Sequence, residues 1–228
     1  MVDVVLIGTE NEGNLGAVAR SMLNFNFKNL VLIDPLCDHL SSEAIKRSKH
    51  AKAILDNVKI IKIHDLKKYD FVIATTSKMG NDYNISRSAL KPNDLAKKIS
   101  LINNKKIAIL FGRESSGLTN EEISYADYVV SIPTSKSYPA MNLSHSVAII
   151  LYEIYHSINE ENILSHINIM GAKEKEVILN LFNDIFDKLE FKTPEMKDTQ
   201  KLIWKRIIGK SQMTKREAFA VIGFLKKL

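Results

Sequence analysis

Residues 3–22 read DVVLIGTENEGNLGAVARSM: an apolar, β-branched run, a polar turn, then a helical pattern. Val4–Ile7 is apolar at every position, as in a strand covered on both faces. Gly8 ends the run, and from Leu15 the apolar residues recur at helical spacing. A first strand that feeds a helix through a loose turn is the opening of a parallel α/β sheet, because parallel neighbours need a crossover. Gly13 and Gly16 let a backbone or a ligand come close. Behind them, on the second turn of the expected helix, stands one cation, Arg20.

The pattern repeats along the chain. Strand-like runs occupy residues 29–35, 58–64, 71–76, 106–112 and 128–133. Between them helical patterns are read over 17–26, 41–55, 93–100 and 118–126. Ser41 or Ser42 is an expected N-cap for the second, and Thr119 or Asn120 for the last. This alternation predicts an α/β fold: a mostly parallel sheet with helices on both faces. After Pro133 the pattern changes. Residues 141–158 form a long, apolar helix, and residues beyond it are polar and weakly patterned. From Lys173 onward no strand is expected. An amphipathic helix over 173–191 carries Val177, Leu181, Ile185 and Leu189 on one stripe. Two more helices follow over 197–211 and 214–228, the last opened by a Thr214–Glu217 capping box. The expected organisation is a main domain over 1–157, a linker over 158–172 and a small helical C-terminal tail over 173–228.

The 228 residues are 45% hydrophobic and 25% charged, with a formal net charge of +6. A basic balance fits a polyanionic partner, and equally a soluble protein that is mildly basic without one. Cys37 is the single cysteine, so no intramolecular disulfide or cysteine metal cluster can form, and a cytoplasmic setting is expected. No run of about 18 apolar residues exists, so neither a transmembrane helix nor a membrane partner is expected. The N-terminus lacks the basic start of a signal peptide.

Four polar segments follow apolar strands: GTENEGNLG, ATTSKMGN, FGRESSG and IPTSKSYPAMN. In an open parallel sheet that is where ligands bind. Dinucleotide and Walker spacings are absent, and FGRESSGL lacks the pattern of a hydrolase elbow. Asp34, at the end of the second strand, fits ribose binding or an ordinary Asp-Pro turn.

Asn14–Arg20 (NLGAVAR) resembles the first motif of the SPOUT-class, SpoU-type RNA 2′-O-methyltransferases. Leu110–Leu118 is similar to their second motif, and Ile132–Pro133 through Met141–Ala148 resembles the third. The likeness covers roughly residues 1–155 in the right order. With Thr119–Glu122 and the helical tail, it is strongest to the tRNA enzymes of that class that modify the pyrimidine, cytidine above all, at anticodon-loop position 32. A ribosomal RNA enzyme of the class, or an RNA-binding protein that keeps the fold without the catalysis, are the alternative readings.

The resemblance implies a C-terminal trefoil knot, a homodimer, a tRNA substrate and S-adenosyl-L-methionine as cofactor, with no metal. It implies that Arg20 is the catalytic arginine. Holding a phosphate and stabilising a developing alkoxide suits a guanidinium better than acting as a base, since it cannot be deprotonated in proteins. Asn14 is expected to orient Arg20 or touch RNA, or simply to cap the helix. Glu114 is expected to fix an arginine, either Arg113 or Arg20 of a second copy. Thr75, Thr76, Ser77, Gly112, Ile132, Ala140 and Met141 are the expected cofactor-binding residues. The third motif of the class usually reads Ser-Leu-Asn, where this chain has Ala140-Met141-Asn142. The missing hydroxyl makes Tyr138 a substitute for stacking or hydrogen bonding at the target nucleotide, beside Asn142. Lys201, Lys205, Arg206, Lys210, Lys215 and Arg216 are expected on RNA phosphates, or on a merely solvated face. Trp204 is expected in the core of the tail.

Overall fold

The computed structural model describes residues 1–77, 89–102, 104–159 and 168–228. Among them are seven strands: β1 (Val2–Ile7), β2 (Leu30–Ile33), β3 (Lys59–Ile61), β4 (Phe71–Thr75), β5 (Ala89–Leu90), β6 (Ile107–Phe111) and β7 (Tyr128–Val130). They form one sheet in the order β3-β2-β1-β6-β4-β7-β5, and every pairing is parallel. All strand C-terminal ends therefore lie on one edge. β5 was not predicted: two residues give no periodicity to read. The runs at 58–64 and 128–133 overestimate their strands, because residues 63–68 wind into a 3-10 turn and 131–133 leave the ladder.

Both faces of the sheet are buried, with alternate residues of each strand facing opposite cores. Val4 and Leu6 of β1 pack in one, with Leu30 and Leu32 of β2. Val5 and Ile7 pack in the other, with Val31 and Ile33. The first face is covered by α1 (Glu12–Asn24), α2 (Ser42–Ser48), α3 (Lys52–Asp56), α4 (Pro92–Ser100) and α6 (Leu143–Asn159). The second is covered by α5 (Asn120–Ser124) and the 3-10 turn around Leu66. Val147, Ile150, Leu151 and Ile154 of α6 are all buried in the first core.

Local chemistry sets most helix starts where expected. Ser41 caps α2, Thr119 forms a capping box with Glu122 on α5, and Thr214 does the same with Glu217. The first helix begins earlier than its apolar pattern, at Glu12, because the Asn11 side chain accepts the Asn14 N–H at 3.0 Å. Asn14 is thus not the cap, and its side chain is free for other work. The expected 41–55 helix is broken at Lys49, whose φ is +54°.

The tail consists of α7 (Ala172–Lys188), α8 (Pro194–Lys210) and α9 (Lys215–Leu225) around Met170, Ile178, Ile208, Ala218, Ile222 and Leu225. Of the predicted stripe of α7, Leu181 and Ile185 pack against the tail core, while its two ends are corrected. Val177 is 43% and Leu189 53% exposed, whereas Lys175, Ile178 and Phe186 are buried. A lysine at the packed seam hid its true phase. Trp204, half-buried, stacks on Phe182 of the tail core with centroids 4.3 Å apart.

The tail rests on the sheet through polar contacts. Asp127, just before β7, accepts the Val72 N–H at 2.9 Å and pairs with Lys175 at 2.8 Å. The same ammonium lies 4.2 Å from the Phe71 ring centroid. Gly209 leaves room for Asp127, since a Cβ there would sit 2.5 Å from its Oδ1. The Tyr128 hydroxyl donates to the Lys210 carbonyl at 2.7 Å. Lys205 donates to the Ser124 carbonyl and Arg206 is buried, so these two cations are not available for RNA phosphates in this arrangement.

Candidate active site

Because β6 is inserted between β1 and β4, the loops after β1, β4, β6 and β7 meet at one end of the sheet. The last three enclose a cavity of about 480 Å³. Thr75, Thr76 and Ser77 form one wall, Gly112 to Leu118 another, and Ile132, Thr134 and Pro139 to Met141 a third. Ile150 of α6 lies at its base. All seven residues expected at the cofactor line it: Thr75, Thr76, Ser77, Gly112, Ile132, Ala140 and Met141.

Gly112 is required by its surroundings: a Cβ would lie 2.2 Å from the Gly117 carbonyl carbon. Gly117 has φ +72°, and Arg113 and Gly117 close the loop with a bridge. The Arg113 guanidinium, 3.0 Å from Glu122, is held more strongly charged than usual, first by that hydrogen bond. Arg113 also crosses Gly8, where a Cβ would sit 2.7 Å from its Nε. The suggestion that Glu114 fixes Arg113 is therefore corrected, because Glu122 does so.

Glu114 instead ties its own loop to the segment after β1, and Asn14 carries the link on to the third motif. Its Oε1 accepts the Asn14 Nδ2–H at 2.9 Å and its Oε2 the Glu10 N–H at 3.0 Å. Asn14 Oδ1 in turn accepts the Asn142 Nδ2–H at 3.1 Å. Asn142 Oδ1 accepts the N–H and hydroxyl of Ser144 at 2.9 and 2.7 Å, so it also serves the start of α6. Glu10 answers the clasp by accepting the Ser115 N–H at 3.0 Å and its hydroxyl at 2.7 Å. The chain Glu114–Asn14–Asn142 fixes the amide orientations through a charged end, which makes it a rigid polar seam rather than a set of loose surface groups.

Two expected residues stand apart from this seam. Arg20 is exposed on α1, and among the described residues it has no hydrogen-bond or ion-pair partner. Tyr138 is 78% exposed on the loop over the cavity. Sequence reasoning missed Glu10 and Ser115. Both lie in the quoted strand-end loops, but only the fold shows that they bond each other. Asp34 adopts φ +45° and lies 3.6 Å from Lys62, an ordinary turn away from the cavity. Cys37, beside the β1 loop, is pushed up to about 11 by burial and then by Glu114, Glu12 and Asp38, which keeps its thiol protonated. Among the described residues no cluster of His, Cys, Asp and Glu could hold a metal ion, and no helix is long and apolar enough to cross a membrane.

The model of the SpoU rRNA Methylase family matches residues 1–152, which span β1 through most of α6 and all the loops just described. The chain belongs to the SpoU methylase family. Among its similar relatives is the tRNA (cytidine-2′-O-)-methyltransferase TrmJ of Methanocaldococcus jannaschii, 41% identical over 99% of both chains. The protein of the same name from Sulfolobus acidocaldarius is 33% identical over 100% of this chain and 93% of its own. The crystal structure of TrmJ from Z. mobilis superposes with a TM-score of 0.76 at 20% identity, covering 100% of this chain and 98% of that one. The likeness of fold to that structure thus extends over the tail as well as the sheet.

The cavity suits the cofactor that the family implies. Its volume falls in the ordinary range for small-ligand pockets, roughly 300–1,000 Å³. Gly112 and Gly117 bring backbone to its wall, and apolar Leu118, Val130, Ile132 and Ile150 alternate with the hydroxyls of Thr75, Thr76 and Ser146.

Proposed function

We propose that this SpoU-family protein is a tRNA ribose 2′-O-methyltransferase that uses S-adenosyl-L-methionine and acts on a pyrimidine, with cytidine at anticodon-loop position 32 as the preferred target. The observation that carries the reading is the Glu114–Asn14–Asn142 seam, which ties all three motif loops together beside a cavity of cofactor size. The two full-length relatives named as tRNA cytidine methyltransferases support the substrate.

When bound, S-adenosyl-L-methionine supplies an electrophilic methyl group. The protein's task is to align a ribose oxygen with that carbon and to stabilise charge as the hydroxyl loses its proton. Thr75, Thr76, Ser77, Gly112, Ile132, Ala140 and Met141 would hold the cofactor. Asn14 and Asn142, locked by Glu114, present a fixed polar rim to the nucleotide. Arg20, exposed and without a partner among the described residues, is free to take a phosphate and stabilise the developing alkoxide. Tyr138 is available above the cavity to stack on an extruded base. With Ala140 in place of serine, no hydroxyl is offered at that point of the loop, so the proton leaves by another route, in which the electrostatic work of Arg20 counts for more.

The homodimer, the threaded knot and the cytoplasmic setting belong to the same proposal. A face suited to a second copy runs from the end of α1 along α6: Leu23 is 41%, Tyr152 50% and Ile158 49% exposed. Phe25 packs edge-on to Tyr152 at 6.0 Å within it. Arg20 lies on the same helix as this face, so a second copy seated there would also border Arg20.

The test is methyl incorporation into tRNA transcript from labelled S-adenosyl-L-methionine. Transfer by wild type and a loss of at least about 100-fold in Arg20→Ala, with cofactor affinity retained, are expected for an electrostatic group used in the transition state. An Arg20→Ala variant as active as wild type would remove Arg20 from the site.

A further inference from the structure

The outer face of α9 is left open by the other described residues, and its chemistry is unusual for solvent. Phe219 is 61% and Phe224 62% exposed. Between them on the helix surface run Arg216, Ala220 and Gly223, all exposed and within about 60° of arc. A Cβ built on Gly223 would meet nothing within 4 Å, so among the described residues nothing covers this strip at that point. The opposite face carries Ala218, Ile222 and Leu225, which are buried, and Val221 packs beside them, whereas neither phenylalanine belongs to that core. The two phenylalanines are therefore not needed by the tail's core.

Charge decides what such a face would meet. After residue 172 the chain carries 13 of its 32 Lys and Arg but only 8 of its 26 Asp and Glu, so five of the six net positive charges lie in the tail. Arg216, Lys226 and Lys227 are all exposed on or just beyond α9. The one acid of the helix, Glu217, is held by the Thr214 N–H at 2.7 Å and its hydroxyl at 2.8 Å. A second copy docked here about a two-fold axis would set these cations against their own images. A polyanion with flat apolar rings would not.

We propose that the outer face of α9 is a platform for unpaired nucleotides of the tRNA, with bases stacked on Phe219 and Phe224 and phosphates on Arg216 and Lys227. The two rings are five residues apart, about 7.5 Å along the axis and about 140° around it, so they flank the strip on its two sides. The Ala220–Gly223 strip between them admits the ribose-phosphate backbone close to the helix. The inference rests on the tRNA reading above but concerns a surface outside the three motif loops.

The test is tRNA affinity of the full-length protein at fixed salt, read by filter binding. For Phe219→Ala/Phe224→Ala the dissociation constant is expected to rise by at least about 10-fold, given stacking of about 1–3 kcal/mol per base. Its thermal midpoint and its affinity for S-adenosyl-L-methionine should match wild type, because both rings are exposed and outside the cavity. Phe219→Tyr/Phe224→Tyr should restore tRNA binding. The alanine pair should leave the salt slope unchanged, whereas Arg216→Gln/Lys227→Gln should flatten it by about one to two units. Wild-type tRNA affinity in the alanine pair would overturn the platform. So would a shift of that variant from dimer to monomer in sedimentation, which would make the face an interface between copies. Methylation of tRNA by wild type is measured in parallel, so that failure of the platform is told apart from failure of the tRNA reading.

Discussion

Glu114 grips the segment after β1 at two points, one with each oxygen, and that count makes it sensitive to the smallest change of chemistry. Glu114→Gln keeps the shape but turns one acceptor into a donor, so either the Asn14 amide or the Glu10 N–H loses its partner. A fall in kcat for tRNA methylation of at least about 10-fold is expected, with a stability loss of only about 1–2 kcal/mol. Steady-state kinetics and a denaturation curve on the same variant check both. Asn14 and Asn142 were legible in the sequence as members of motifs, but their mutual hydrogen bond was not, because they are 128 residues apart. The partner of Glu114 was misread for a related reason. Arg113 is its neighbour in sequence, yet the tight turn at Gly112 to Gly117 swings that guanidinium over Gly8 towards Glu122.

Among the elements, β1 was readable almost to the residue, since an uninterrupted apolar run has few other solutions, whereas α1, expected over 17–26, spans Glu12–Asn24 because the Asn11 cap starts it before its apolar pattern. The phase of α7 was not readable, because its seam includes Lys175, a residue that pattern reading assigns to solvent. The structure gives the reason: Lys175 pairs with Asp127 in the joint between tail and sheet, with side chains 9% and 10% exposed. Lys175→Met should leave a buried carboxylate without its partner and destabilise the protein by about 3–5 kcal/mol. Lys175→Met/Asp127→Asn removes both charges while an amide oxygen still accepts the Val72 N–H, and should regain most of that loss. Urea denaturation of the two variants beside wild type measures the difference. Equal stability in the single and the double variant would show that the pair does not hold the joint.

At the scale of the molecule, a two-sided sheet bears the cavity while a basic helical tail is fixed against it. The fold class was legible from alternation, and the cavity wall from where the polar loops fall after each strand. The docking of the tail was not, since it depends on contacts such as Tyr128 to Lys210 and Asp127 to Lys175 that join distant parts of the chain. The tail should also be the more acid-sensitive part. Glu217 is held below its usual range, first by the Thr214 backbone N–H, and Glu195 is likewise lowered, first by its own backbone N–H. A depressed carboxylate contributes stability above its unfolded value, near 4.3, and loses it as pH falls through the lower folded value. Helical ellipticity should therefore decline below about pH 4, and a Thr214→Ala/Glu217→Ala variant should lose that part of the pH dependence.

The central claim is methyl transfer to a ribose oxygen of tRNA. Its most direct measurement is nucleotide-resolution mapping of alkali-resistant linkages in tRNA incubated with the full-length protein and S-adenosyl-L-methionine. A single new resistant linkage on the 3′ side of a pyrimidine at anticodon-loop position 32, absent with Arg20→Ala, is the predicted result. A methyl group on a base, or no transfer to tRNA while the RNA is still bound, would contradict the account.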